Sequence, residues 1–168
     1  MKRYIIYLQT FTNWLDRKKF TNFVLESYDF LKPTIVALQE VSKDKDEISD
    51  LFDKICSSTL AREQFFFGIY VKQGIFRRSE LVGMITVSNY NQDTNEVELG
   101  CLLGEQFVGN GYAQQAVALA EKWLRKQRIS TVRLEIDPTN FSSTRLAQRC
   151  DYTRLYSLDG NDIYKKTL

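Results

Sequence analysis

Apolar positions along this chain switch between two periods, and the switches mark its elements. Arg3 to Leu8 reads as a first strand. Phe20, Phe23, Val24, Tyr28 and Leu31 then repeat at helical spacing up to Pro33, which ends the helix. Ile48, Leu51, Phe52, Ile55 and Leu60 mark a second amphipathic helix, opened by Asp44-x-x-Glu47 in the manner of a capping box. Phe65 to Val71 and Leu81 to Val87 are strands joined through Gly74. The polar loop Asn89 to Asn95 leads back into Val97 to Leu103 as an antiparallel neighbour. Ala113, Val117, Ala120 and Leu124 form the apolar stripe of a long helix, with Gln114, Glu121 and Arg125 expected on its exposed side. Thr131 to Ile136 is a further strand, followed by a helix from Asn140. Tyr152 to Leu158 and Ile163 to Thr167 close the chain as a hairpin around Asp159-Gly160. The pattern predicts an α/β (α+β) three-layer architecture, a mixed sheet with helices on both faces.

One junction carries more than fold information. The strand Val97 to Leu103 turns through Gln106-Phe107-Val108-Gly109-Asn110-Gly111 directly into the long helix. Glycines let the backbone approach a ligand without interference from a Cβ. The helix start leaves unpaired N–H groups and a positive dipole end at the same place. Val108, Gly109, Asn110, Gly111, Tyr112 and Ala113 thereby offer a phosphate cradle made of backbone amides. It is not a P-loop, since Tyr112 and Ala113 follow Gly111 where Lys and Ser or Thr are required. It lacks the third glycine of a dinucleotide turn, because Gln114 stands there. An ordinary glycine-containing turn is the alternative reading. A nicotinamide-dinucleotide site is a weaker one.

Two segments together resemble a known superfamily. Gln106-x-x-Gly109-x-Gly111 resembles the acetyl-CoA pyrophosphate loop of GNAT N-acetyltransferases. Asn140-x-x-Ser143, running on through Ala147 to Asp151-Tyr152, resembles the Asn-x-x-Ser helix of the same group, with Asp151 where the family has Gly. The first half is similar to the RimJ/RimL-like branch at Phe67-Gly68-Ile69, Leu81-Val82-Gly83 and Tyr28-x-x-Leu31-x-Pro33, as is Val97-Glu98-Leu99-Gly100 on the central strand. The resemblance implies a single N-acetyltransferase domain over residues 1–168 with a GNAT-like acyl-CoA N-acyltransferase fold.

It also implies roles. The phosphates of acetyl-CoA would lie on the cradle and its pantetheine arm along the open edge at Leu102 and Leu103, with Gln106 in the loop and Asn140 supplying a further hydrogen bond. Asn140 read without the resemblance is a helix N-cap. Glu98 would be the general base that relieves an acceptor ammonium of its proton, and Glu96, two residues away, is its competitor. The family's acid Tyr has no counterpart, since its position is Ala147. Ser143 is offered instead, against the reading of a hydroxyl bonded to its own helix. The expected function is transfer of an acetyl group to a primary amine, a protein N-terminus or a small molecule, by direct attack in a ternary complex. The alternative is a CoA-binding module without catalysis.

Composition narrows the classes. The 168 residues carry 23 Lys and Arg against 21 Asp and Glu, so no strong field selects nucleic acid. The charge is uneven, with acids clustered from Glu40 to Asp53 and basic residues from Lys122 to Arg154, both patterns that solvated helix faces also show. His is absent, which removes Ser-His-Asp and Cys-His mechanisms, and no metal is expected. Cys56, Cys101 and Cys150 are too few and scattered for a disulfide framework, and Cys101, Cys150, Trp14 and Trp123 are expected in the core or an interface. No apolar run reaches a membrane span and Met1-Lys2-Arg3-Tyr4 opens no signal peptide, so a cytoplasmic location is expected, with a homodimer left open.

Overall fold

The computed structural model describes residues 4–11, 14–33, 35–74 and 78–168. Arg3, where the first strand was expected to start, lies outside them, as does the side chain of Trp14. The chain runs β1 (Tyr4–Thr10), α1 (Trp14–Leu31), α2 (Val36–Gln39), α3 (Lys45–Leu60), β2 (Phe65–Gln73), β3 (Glu80–Asn91), β4 (Glu96–Leu103), α4 (Tyr112–Lys126), β5 (Thr131–Ile136), α5 (Phe141–Arg149), β6 (Thr153–Leu158) and β7 (Asn161–Thr167). A 3-10 turn, Glu105–Phe107, links β4 to α4.

The seven strands form one sheet in the order β1-β2-β3-β4-β5-β7-β6. The β4–β5 pair is parallel and the other described pairs are antiparallel. Period-two alternation sends Phe67, Ile69, Ile85, Val97 and Leu99 to one face, where Ala116, Val117, Ala120 and Leu124 of α4 complete a core. The other face holds Tyr70, Leu81 and Met84 under Phe20, Phe23 and Val24 of α1 and Ile48, Phe52 and Ile55 of α3. These are the three expected layers.

Local details follow from side-chain chemistry. Asp44 caps α3 by accepting from the N–H groups of Asp46 and Glu47 at 2.8 and 3.1 Å. The return bond of the box goes from the Ser42 N–H to Glu47 Oε2 at 2.8 Å, not from the cap residue itself. Asp151, in the family's Gly position, takes φ 63°. The N–H of Tyr152 reaches the Ala147 carbonyl at 3.0 Å and that of Asp151 reaches Gln148 at 3.1 Å, a complete Schellman ending. Asp therefore closes the helix as Gly would.

Several boundaries differ from the sequence reading. α1 begins six residues before Phe20, through the buried Asp16, a polar position that breaks the apolar spacing. The short helix α2 has no signal of its own. β3 runs on to Asn91, shrinking the expected loop, with a register irregularity between Ser88 and Asn91. The stripe on α4 is also wider than expected. Ala113 is only part-buried, Tyr112 and Ala116 are buried, and Glu121, expected outside, is 4% exposed. Glu121 is buried because Lys166 on β7 reaches both its carboxylate oxygens at 2.9 Å. The pairing partner lies 45 residues away, beyond any helical periodicity.

Candidate active site

β4 and β5 pair only at Glu96↔Thr131, Val97↔Val132 and Glu98↔Arg133. β4 then continues to Leu103 along β3, through Leu102↔Met84 and Leu103↔Gly83, while its other edge has left β5. The result is a fork in the sheet with free backbone polar groups on one side. Such an edge can accept an extended amide-bearing chain as an added strand. Cys101 lies on this stretch, and burial with the nearby Cys150 pushes its thiol up to about 12, which makes it a poor nucleophile.

Beyond the fork the chain turns through the 3-10 segment to Gly109 (φ 82°) and Gly111 (φ 75°). Both conformations are left-handed, and a Cβ on either glycine would meet nothing within 4 Å. Glycine is therefore selected by backbone angle, and the space in front of it is open. Gly111 is the N-cap of α4 and supplies no side-chain cap. The first helical bond is from the Gln115 N–H to the Gly111 carbonyl at 3.4 Å, so earlier amides of the turn point outward with the helix dipole behind them. Asn110 braces the loop from within, donating from Nδ2 to the Phe107 carbonyl at 3.1 Å. Tyr112 packs edge-on against Tyr4, 5.1 Å between ring centroids. Gln106 and Val108 are exposed.

α5 borders the fork from the far side. Asn140 Oδ1 accepts from the Ser143 N–H at 3.1 Å, so the N-cap bond is present and its Nδ2 keeps its hydrogens for another acceptor. Among the described residues the hydroxyl of the half-buried Ser143 has no hydrogen-bond partner, in its own helix or elsewhere. The family's Tyr position, Ala147, is fully buried.

Glu98 stands at the last paired step of the fork. Its Oε2 accepts from Arg133 Nη2 at 2.6 Å and from Asn89 Nδ2 at 3.0 Å, and Oε1 has no partner among the described residues. Burial acts against the charge on Arg133, but its bond to Glu98 and the fields of Glu98, Glu135 and Glu96 more than offset this and raise its pKa. Glu96 is taken by Lys165 at 2.6 Å. Arg133 and Asn89 are the residues sequence reasoning missed. A basic residue alternating with Val132, Leu134 and Ile136 was the visible signal, but only the β4–β5 register shows whom it holds. Among the described residues no group of three or more His, Cys, Asp or Glu could hold a metal ion, and no helix is long and apolar enough to cross a membrane.

Comparison with known proteins adds the family. No curated protein matches the chain by sequence. Solved structures match over nearly all of it at low identity. They include a RimL ribosomal-protein α-N-acetyltransferase in complex with coenzyme A (17% identity, TM-score 0.79, 97% of this chain and 94% of that one). The microcin C7 self-immunity acetyltransferase MccE in complex with acetyl-CoA and AMP gives 13% identity and a TM-score of 0.77, over 97% and 92%. A ribosomal-protein alanine acetyltransferase from Vibrio fischeri gives 14% identity and a TM-score of 0.72, over 99% and 94%. Residues 10–153, which contain the fork, the cradle and the Asn140 helix, match the family described as the acetyltransferase (GNAT) domain, and the chain belongs to the GNAT acetyltransferase family.

Proposed function

We propose that this protein transfers the acetyl group of acetyl-CoA to a primary amine, with the α-amine at a protein N-terminus as acceptor. The observation that carries this is the fork, which stops the β4–β5 ladder at Glu98 and leaves Leu99 to Leu103 with a free edge beside the cradle. The pyrophosphate would rest on the amides from Val108 to Ala113, and the pantetheine arm would add along Leu102 and Leu103. Asn140 Nδ2 would donate to the same ligand. The ribosomal-protein acetyltransferases among the structural neighbours support a protein acceptor.

The chemistry needs few groups. Glu98 Oε1 takes a proton from the acceptor ammonium, directly or through a water, while Arg133 and Asn89 fix the carboxylate through Oε2. The neutral nitrogen attacks the thioester carbonyl, the C–N bond forms and the C–S bond breaks. The nitrogen gives up its second proton to the Ser143 hydroxyl or a water it holds, which passes a proton on to the leaving thiolate. We place the reaction in the cytoplasm, where Cys56, Cys101 and Cys150 would stay free thiols.

Thiol release from acetyl-CoA across a panel of peptides and small amines, with mass spectrometry of the products, tests the reading. Acetylated amine with stoichiometric CoA is expected. Tight acetyl-CoA binding without release for any amine would instead make the protein a CoA-binding module.

A further inference from the structure

The sheet face that carries Glu98 also carries an apolar cavity of about 230 Å³, enclosed by α1, α2 and α3. Its sheet wall is Phe66, Met84, Thr86 and Leu102. The register ties this wall to the site. Ser88 pairs with Glu98, Thr86 with Gly100 and Met84 with Leu102, so Glu98, Gly100 and Leu102 follow one another on a single face. Successive same-face residues are ~7 Å apart along a strand, so the wall residue Thr86 lies one such step along and one strand across from Glu98, and Leu102 lies two steps along. The step between them is a glycine. A Cβ at Gly100 would come within 2.4 Å of Thr86 Oγ1, so this position keeps the floor low between Glu98 and the cavity.

We propose that the cavity receives the side chain of the acceptor's first residue, which makes the preferred acceptors α-amines bearing a large apolar side chain, of leucine, methionine or phenylalanine size. The proposal rests on the acetyl-transfer reading above. An amine at Glu98 has its α-carbon substituent on this face, next to Gly100, whereas the donor's acyl group enters from the strand edge at the fork. The lining is almost wholly hydrocarbon, which suits an aliphatic or aromatic group and leaves a polar side chain without partners. The polar groups on the wall are few. Lys54 is exposed and Ser58 half-buried, both on α3, and they can donate to carbonyl oxygens of a chain that continues outward.

The test uses the full chain, acetyl-CoA and peptides that differ only in their first residue. Leu, Met or Phe first should give kcat/KM at least about tenfold above Ala, Gly or Ser, the scale on which apolar pockets discriminate. Ala37→Trp, at an exposed position on the cavity wall, should erase that preference while acetyl-CoA affinity and the rate with an Ala-first peptide stay unchanged. Gly100→Ala should act in the same direction. Equal or better rates with small or polar first residues would overturn the cavity assignment and leave acetyl transfer standing. So would hexanoyl-CoA used as readily as acetyl-CoA and lost in Ala37→Trp, since the cavity would then hold the donor's acyl chain. Acetylation of no peptide at all would overturn the protein N-terminus as acceptor, and the cavity's role with it.

Discussion

The two faces of the central sheet meet the same problem, a row of charged residues near β5 and β7, and solve it in opposite ways. On the α4 face Glu121 is drawn under cover and paired with Lys166, whose ammonium also reaches the Cys150 carbonyl at 2.8 Å. The helix lies flat on this face, and the ion pair serves the core. On the opposite face α1 and α3 cover β2 and β3, while Glu96, Glu98, Arg133 and Lys165 stay partly open to solvent. A buried pair is costly to break because one charge is left behind in a poor solvent. A partly exposed pair keeps solvent within reach of its carboxylate, as the base proposed at Glu98 would need.

The sharpest way to break the comparison is Glu98→Gln, which keeps the bonds to Arg133 and Asn89 within reach but cannot accept a proton. A fall in kcat/KM of roughly 10²–10⁴-fold is expected, with CoA affinity near wild type. The deficit should shrink as pH rises, since more acceptor amine then arrives neutral. A loss that is constant with pH would mean that Glu98 only positions the acceptor, and wild-type activity would move attention to Glu96.

Glu121→Ala tests the other face. It strands Lys166 beside the core and should cost on the order of 3 kcal/mol in denaturant unfolding, while kinetics of the folded enzyme hold. If stability is unchanged, the ammonium has found water and the two faces are less different than their burial suggests.

A smaller effect is expected from Gly111→Val. The substitution forces a β-branched residue to φ 75° and puts bulk into the open cradle, so CoA binding should weaken at least tenfold, about 1.4 kcal/mol, by calorimetry. Unchanged affinity in a folded variant would remove the cradle. Smallest should be Asn140→Ala, where loss of the cap bond to Ser143 costs about 1 kcal/mol of stability. An added loss of CoA affinity would show that Nδ2 also serves the ligand.

The glycine turn into α4 was legible because its determinants are local. Gly109 and Gly111 answer to their own φ angles, and the first turn of α4 exposes its amides whatever surrounds it. The hairpin at Asp159-Gly160, with φ values of 50° and 86°, and the Asp44 cap were readable for the same reason. The buried Glu121 was not, because helical spacing counts a charge as outward-facing and cannot see a lysine on a distant strand. Nor could Arg133 be assigned to Glu98 from spacing.

By itself the sequence determined the elements, their order, the apolar faces and the backbone geometry of the glycine turn before α4, since these depend on residues a few positions apart. Only the tertiary structure decided where β4 and β5 part, which carboxylate is held by which cation, and that an apolar cavity lies on the sheet face of Glu98. Those properties are set by register and by helices crossing a sheet, where the partners are far apart in the chain and meet only when it folds.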